Sequence, residues 1–327
     1  MLSNRNSYTG AGLRCHKGRR WDHPIGKEPM DVSADEPIID SKIRLHNGRV
    51  LGLMEAGRKG GPAVLHFHGH GSSRFEVRLL AETAARLGVR VIGIDRPGIG
   101  NSDSKPDFRI LDWPDDVQEA ADQLGIERFA VEGLSAGGMY ALACAYKIPH
   151  RLTGCGLISS AVPSYMITQA GPRWMRITWW LGKRIPWLLW PLIRLVTFER
   201  GATQASIEAW LLRISSWLGE PDHRLLTIRE IRAACAQALA EGSRQGRKAS
   251  LKEAMADFQP WGFEVEKIPF KKIFMWHGEQ DRLVPAVQAH LLAESLPQVI
   301  ATFYPNEGHI SLLANHAHDI LETMKAE

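Results

Sequence analysis

A regular alternation of short apolar runs with helix-length segments constrains the fold of this 327-residue chain more than any other feature. Six of the apolar runs have the length of a single strand. They cover residues 63–68, 89–95, 129–133, 154–160, 273–277 and 300–304. Apolar strands separated by helices are typical of a parallel sheet that helices cover on both faces. The sequence therefore predicts an α/β protein with a mostly parallel sheet.

Two segments precede this alternation. Residues 41–56 alternate apolar and polar side chains around Asn47-Gly48, a dipeptide that tolerates positive φ at both central positions of a tight turn. We therefore expect an antiparallel hairpin there. Residues 1–37 begin with a basic stretch that has few apolar side chains, which predicts a disordered tail. A mitochondrial targeting segment is the alternative.

The strand pattern stops between residues 164 and 259, where the sequence indicates helices rich in Trp, Leu and Arg. We interpret residues 164–259 as a helical cap inserted into a core that comprises residues 38–163 and 260–327. Within residues 171–250, 13 Lys and Arg stand against 6 Asp and Glu. The positive charge of the chain is therefore concentrated in the cap.

Charge and cysteine content exclude several classes of protein. A net charge of +4 does not indicate a nucleic-acid-binding protein, which needs a clustered basic face. The four cysteines form no C-x-x-C pair, so neither a disulfide framework nor a zinc-cysteine site is indicated. No segment is long and apolar enough to span a membrane. We expect a cytoplasmic, water-soluble protein with reduced thiols.

The pentapeptide Gly133-Leu134-Ser135-Ala136-Gly137 joins the run at 129–133 to a helix predicted over residues 138–146. A sharp turn between a strand and a helix lifts a serine hydroxyl above the edge of the sheet. Small residues two positions before and after the serine let the two backbones approach each other. The pentapeptide alone is common, but in this setting it makes Ser135 the candidate nucleophile.

A serine hydroxyl needs a histidine to accept its proton and a carboxylate to orient that histidine. Asp281 follows the run at 273–277, and His309 follows the run at 300–304. Both therefore lie at the carboxyl edge of the predicted sheet, where open α/β sheets gather their sites. We predict Asp281 as the acid and His309 as the base, with Glu279 as the competing acid.

Acyl transfer also needs backbone N–H groups that stabilise an oxyanion. We assign them to Ala136, directly after the nucleophile, and to His70, in the loop that ends the run at 63–68. Gly71 is the alternative to His70.

The same loop supports a competing interpretation as a metal site. His66, His68 and His70 alternate, so they point to one side of a strand and resemble zinc ligands. The further ligands of the H-x-H-x-D-H and H-E-x-x-H patterns are missing from the sequence. We therefore predict no metal and no cofactor.

With these motifs the chain resembles the α/β-hydrolase superfamily over about residues 40–325. The segment Asp95-Arg96-Pro97-Gly98-Ile99-Gly100-Asn101-Ser102 is similar to the D-R-x-G-x-G-x-S loop of that superfamily. The resemblance implies an α/β-hydrolase fold with a cap, and a triad in the order Ser135, Asp281, His309. It also implies hydrolysis of ester, thioester, lactone, amide or carbon–carbon bonds. Residues 133–137 correspond to the nucleophile elbow of that superfamily. Members that open epoxides or dehalogenate have aspartate at the central position of the elbow, so Ser135 disfavours those activities.

We therefore expect a serine hydrolase that cleaves an ester-type bond of a small to medium apolar substrate through an acyl-enzyme. One alternative is a catalytically silent scaffold that binds a hydrophobic ligand or partner. A carbon–carbon bond hydrolase is a minor alternative, since a triad and an oxyanion hole serve several bond types.

The tryptophans of the cap have two interpretations: they line a substrate pocket, or they build the core of the cap itself. Seven of the eleven lie there: Trp174, Trp179, Trp180, Trp187, Trp190, Trp210 and Trp217. A further expectation is weak contact with an anionic membrane surface through residues 173–194, where Trp and Leu alternate with basic side chains. Pro186 and Pro191 interrupt a long amphipathic helix in that segment.

Overall fold

The computed structural model describes residues 37–185, 197–257 and 259–325, and the structural statements below concern these residues. The predicted tail at residues 1–37 therefore lies almost wholly outside the described residues. Trp187 and Trp190 lie outside them as well.

The described residues contribute eight strands to a single sheet. They are β1 (Ile39–Arg44), β2 (Val50–Gly57), β3 (Ala63–Phe67), β4 (Arg90–Ile94), β5 (Phe129–Leu134), β6 (Leu152–Ile158), β7 (Ile273–Gly278) and β8 (Ile300–Tyr304). Their order across the sheet is β1-β2-β4-β3-β5-β6-β7-β8. β2 pairs antiparallel with β1 and with β4, and all other neighbours are parallel. The predicted mostly parallel sheet is confirmed.

The opening hairpin turns through a three-residue loop at Asn47-Gly48. Leu45 N donates to Arg49 O at 2.8 Å, so three residues rather than two lie in the loop. Gly48 has a φ of +85°, whereas Asn47 is not among the residues with positive φ. Asn47 instead accepts a hydrogen bond from Arg49 N through its side-chain oxygen, at 3.0 Å. The predicted antiparallel hairpin is confirmed, and its three-residue loop needs only one left-handed residue, Gly48.

Helices cover both faces of the sheet, as predicted. The core helices are α1 (Ala81–Leu87), α2 (Trp113–Gln123), α3 (Gly137–Lys147), α10 (Ala286–Ser295) and α11 (Ser311–Met324). Side chains of α2, α3 and α10 join one buried apolar cluster, and those of α1 and α11 join another. Leu65 and Val131 point into the first cluster, while Val64 and Ala130 point into the second. The sheet therefore buries both of its faces, which explains its continuous apolar strands.

Between β6 and β7, the described residues form six further α-helices. They are α4 (Ser164–Ala170), α5 (Arg173–Arg184), α6 (Gln204–Leu218), α7 (Glu220–Thr227), α8 (Arg229–Gly242) and α9 (Arg247–Asp257). Ile207, Leu211, Leu226 and Ala236 form a small core within this helical insertion. The helical character of the insertion is confirmed, and the predicted domain boundaries stay predictions. None of the helices in the described part of the chain is long and apolar enough to cross a membrane.

Candidate active site

Ser135 lies in a strained turn between β5 and α3. Its φ is +54°, a left-handed conformation that residues with a side chain rarely adopt. Backbone hydrogen bonds hold the turn: Ser135 N donates to Ile158 O at 2.9 Å, and Ser135 O accepts from Gly138 N at 3.0 Å and from Ala161 N at 2.8 Å. Strain of this kind persists only where the surrounding structure enforces it. The side chain remains half-buried at the carboxyl edge of the sheet.

The glycines beside Ser135 are needed for close backbone approach. A Cβ atom on Gly137 would lie 1.9 Å from the carbonyl oxygen of Phe67. One on Gly133 would lie 2.2 Å from the carbonyl group of Gly137. Neither position therefore has room for a side chain, which is the physical reason for the small residues in the pentapeptide.

Asp281 and His309 form a buried pair. His309 Nδ1 lies 2.7 Å from Asp281 Oδ2, and the other carboxylate oxygen accepts from the backbone N–H groups of Leu283 and Val284, both at 2.8 Å. The competing acid, Glu279, contacts the ring of His290 at 3.3 Å instead. The structure thus pairs His309 with Asp281 rather than with Glu279.

The three predicted triad residues lie at one edge of the sheet. Ser135 follows β5, Asp281 follows β7 and His309 follows β8. The acid and the base are joined by a hydrogen bond, whereas none joins the Ser135 hydroxyl to His309 among the residues described here. Of the two contacts expected within the predicted triad, the structure therefore contains the one between Asp281 and His309.

The surroundings of His309 favour its charged form. Burial disfavours the imidazolium, but the charge and hydrogen bond of Asp281, together with the charges of Asp222 and Glu76, outweigh burial and raise the pKa of His309. The nitrogen that does not face Asp281 is therefore a stronger base than that of an ordinary histidine.

Asp222, on α7 of the insertion, holds the loop that carries His309, and its side chain is fully buried. Its carboxylate accepts hydrogen bonds from three consecutive backbone N–H groups, those of His309 at 2.9 Å, Ile310 at 2.9 Å and Ser311 at 2.8 Å. These groups open α11, so the carboxylate also faces the positive end of that helix. Asp222 could not be predicted from the sequence, because 87 residues separate it from His309 and no local motif joins them.

A second buried cluster lies beneath the loop that carries His70. His66 Nδ1 lies 3.1 Å from a carboxylate oxygen of Glu132, and Nε2 lies 2.9 Å from one of Glu76. Glu76 also accepts from the backbone N–H of Gly69, at 3.1 Å. Burial disfavours the charged imidazole, but the hydrogen bonds and charges of Glu132 and Glu76 outweigh it and raise the pKa of His66 to about 9. His66 is therefore a structural cation between two carboxylates.

This cluster predicts a loss of stability at alkaline pH. Because the pKa of His66 is higher in the folded protein than in the unfolded chain, its contribution is complete below about pH 6.5 and is lost as the pH rises through about 9. The loss corresponds to about 3 kcal/mol in the free energy of unfolding. Denaturant titrations between these pH values should show the decline in the wild type and a smaller one in His66→Gln. His290→Gln, which changes a partly exposed histidine, is the control and should decline like the wild type; an equal decline in His66→Gln would contradict the assignment.

Arg96 and Glu253 fix the loop above this cluster. The buried guanidinium of Arg96 donates to the carbonyl oxygens of His68 and Gly69 and to the carboxylate of Glu253, which lies on α9 of the insertion. The other oxygen of Glu253 accepts from the backbone N–H of Gly71 at 3.1 Å. The Gly71 N–H therefore already donates to Glu253, which counts against Gly71 as the oxyanion donor.

The zinc interpretation of the same histidines has no support in the geometry. Both ring nitrogens of His66 contact carboxylates. His68 Nδ1 lies 2.8 Å from Gly69 O, and Nε2 accepts from the backbone N–H of Arg96 at 3.3 Å. Both nitrogens of both rings are thus engaged. Within residues 37–185, 197–257 and 259–325, no three His, Cys, Asp or Glu side chains are grouped so that they suit a metal ion.

A cavity of about 310 Å³ opens at Ser135. Its walls are mostly apolar and come from the core, through Met139 and Val162, and from α5, through Met175 and Trp179. Ala136 and His70, the predicted oxyanion donors, also border it. The nucleophile candidate therefore faces a space suited to an apolar group.

The tryptophans of the insertion differ in their surroundings. Trp179 lines the cavity. Trp210 packs edge-on against Phe198 inside the insertion, with ring centroids 5.0 Å apart. Trp174, Trp180 and Trp217 are 51%, 55% and 54% exposed and do neither.

Comparison with known proteins assigns the fold. A family model described as alpha/beta hydrolase fold matches residues 62–315, which is most of the chain. The chain belongs to the α/β-hydrolase family. The expected α/β-hydrolase fold is thereby confirmed, and the helices between β6 and β7 are consistent with a cap.

Individual relatives of this α/β-hydrolase are distant. Bifunctional epoxide hydrolase 2 of Rattus norvegicus is 35% identical over 85 residues, which cover 26% of this chain and only 14% of that protein. A solved hydrolase from Pseudomonas aeruginosa is 20% identical with a TM-score of 0.64, covering 88% of this chain and 98% of that one. An esterase from Exiguobacterium antarcticum is 16% identical with a TM-score of 0.63, covering 88% and 100%. At these identities the two structures show a shared fold alone.

Proposed function

We propose that this α/β-hydrolase is a serine hydrolase that cleaves an ester-type bond of a small to medium apolar substrate. The observation that carries the proposal is the buried Asp281–His309 pair, which lies at the same sheet edge as the strained Ser135 turn and its apolar cavity. Acid, base and nucleophile are the three groups that acyl transfer requires.

In the proposed reaction, His309 accepts the proton of the Ser135 hydroxyl while Ser135 Oγ attacks the substrate carbonyl carbon. The backbone N–H groups of Ala136 and His70 stabilise the resulting oxyanion. The tetrahedral intermediate collapses to an acyl-enzyme, and the departing alcohol takes its proton from His309. A water that His309 deprotonates then attacks the acyl carbon, which releases the acid and restores Ser135. Catalytic hydrogen bonds are often long in a free enzyme, so the Ser135–His309 contact is expected to form as substrate binds.

The elbow separates this proposal from epoxide opening, the activity in the name of the rat relative. The resemblance to the superfamily implies aspartate at the elbow for that chemistry, whereas this chain has Ser135. Asp281 contacts His309 at 2.7 Å and suits the role of the acid partner of a serine. Ester, thioester and lactone bonds share the carbonyl group that a serine attacks, and we propose them as the substrate class.

A substrate panel tests the proposal. It comprises p-nitrophenyl acetate, butyrate, octanoate and palmitate, a lactone and an aryl ketone. We expect hydrolysis of esters, with the highest kcat/KM for short to medium acyl chains, because the cavity of about 310 Å³ is at the small end of the usual range for ligand sites. Hydrolysis of the ketone alone would instead assign the protein to the carbon–carbon hydrolases, and no turnover of any compound would favour a silent scaffold.

Two tryptophan variants show whether the cavity selects the acyl chain. Trp179 lines the cavity, so Trp179→Ala should enlarge it and shift the preference toward longer chains. Trp217 is 54% exposed and does not border the cavity, so Trp217→Ala should keep the wild-type preference. The same chain-length profile in both variants would mean that substrates bind elsewhere.

A further inference from the structure

Helix α5 has two apolar faces, and only one of them is buried against the protein. Met175, Thr178 and Trp179 face inward and line the cavity at Ser135. Trp174, Ile177 and Trp180 follow one another at three-residue spacing, which places them along one stripe of the helix. They are 51%, 56% and 55% exposed. A contiguous row of large exposed apolar side chains is typical of an interaction site.

Basic side chains flank this stripe. Arg173, Arg176 and Arg184 are exposed on the same helix, and none of them forms an ion pair with a residue of the described ranges. The sequence contains no Asp or Glu between Glu132 and Glu199. The stretch of sequence that carries α5 is therefore positive, and these three arginines have no ion-pair partner among the described residues.

We propose that the outer face of α5 docks on an anionic lipid bilayer. This face consists of Trp174, Ile177 and Trp180 with the three flanking arginines. Tryptophan suits the boundary between headgroups and acyl chains, and arginine extends from that depth toward lipid phosphates. The inner face of the same helix lines the cavity, so a docked enzyme holds its substrate site beside the lipid surface.

Charge decides between a bilayer and the other occupants of this face. A second copy of the chain packed symmetrically would bring two positive faces together. Residues 186–196, which follow α5 directly, contain no acidic residue and provide no complementary charge. An anionic bilayer supplies both the negative charge and the apolar layer that this face lacks. Docking implies that the natural substrate is an acyl lipid; this part of the inference rests on the proposed function.

Vesicle co-sedimentation tests the docking. The full chain carrying Ser135→Ala is mixed with vesicles of phosphatidylcholine alone or of phosphatidylcholine with phosphatidylglycerol, so that hydrolysis does not alter the lipids. We expect sedimentation with the anionic vesicles only, and release as the salt concentration rises. Each basic side chain at a membrane surface contributes about fivefold to affinity, so Arg173→Gln/Arg176→Gln should bind about 25-fold more weakly.

Trp180→Ser and Trp217→Ser form a matched pair, because the two rings are almost equally exposed. Trp180→Ser should lose most vesicle binding and Trp217→Ser should bind like the parent, with thermal unfolding confirming that both fold. Equal losses in the pair, sedimentation that ignores lipid charge, or no sedimentation at low salt would overturn the docking. A dimer in light scattering that Trp180→Ser dissociates would assign the face to a second copy and also overturn it.

Hydrolysis of soluble p-nitrophenyl butyrate by the wild-type protein is measured in parallel and separates the two proposals. Ester turnover without vesicle binding overturns the docking and leaves the proposed function. Vesicle binding without any ester turnover has the opposite meaning, because it supports the docking and counts against the serine hydrolase.

Discussion

Replacing Ser135 by alanine is expected to lower kcat for ester hydrolysis by about 10⁶-fold and to leave the fold intact. The hydroxyl supplies the atom that becomes bonded to the acyl group, and no other group can replace it in that position. Alanine removes one oxygen from a half-buried site without introducing a clash. Initial rates with p-nitrophenyl butyrate, together with the thermal unfolding midpoint, measure both parts of the prediction.

Ser159 provides a matched control for this variant. It too has positive φ, at +44°, and directly follows β6, the strand beside β5. Its side chain is buried and does not border the cavity at Ser135. Ser159→Ala should therefore keep activity close to the wild type. Loss of activity in Ser159→Ala together with retained activity in Ser135→Ala would show that Ser135 is not the nucleophile.

The second large effect is expected from Asp222. Its carboxylate orders the loop of His309 through three backbone hydrogen bonds, so its loss should displace the imidazole. A displacement of about 1 Å is enough to lower kcat about 100-fold. Asp222→Asn is the milder variant, because it keeps an acceptor oxygen, and Asp222→Ala is the more severe one. Glu220→Ala, which removes an exposed carboxylate from the same helix, is the control and should behave like the wild type.

The pH dependence of kcat/KM distinguishes Asp222 as a positioning residue from a merely structural one. His309 must be neutral to accept the proton of Ser135, so activity rises as the pH passes through the pKa of His309. Asp222 raises that pKa through its negative charge. Asp222→Asn should therefore move the acid limb of the profile to lower pH. A lower rate with an unmoved acid limb would mean that Asp222 acts on stability alone.

The features that could be predicted from the sequence are those with local signals. Apolar runs of strand length predicted β3 to β8. For β3 to β7 the reason is that most of their side chains are buried on both faces of the sheet, whereas β8 is only partly buried. The elbow was predictable because its signal is also local: Gly133 and Gly137 lie within two residues of Ser135, and both are needed for the same turn. The loop at Asn47-Gly48 shows the limit of such signals, since the same dipeptide fits a two-residue or a three-residue turn.

The contributions of the insertion to the site could not be predicted. Asp222 contacts a loop 87 residues away, and Glu253 contacts Arg96 across 157 residues. Neither carboxylate lies in a motif, so only the folded structure joins them to the site. The cluster at His66 had one signal that was not used: Glu132 is a charged residue in the otherwise apolar strand β5. A buried charge of this kind needs a partner, and His66 provides it.

Labelling with a fluorophosphonate tests whether Ser135 is an activated nucleophile, because the probe reacts with a serine that an assembled acid–base pair has activated. We expect a single adduct on Ser135, identified by peptide mass spectrometry, that is absent from Ser135→Ala and strongly reduced in His309→Gln. An unlabelled wild-type protein, or an adduct on another serine, would contradict it.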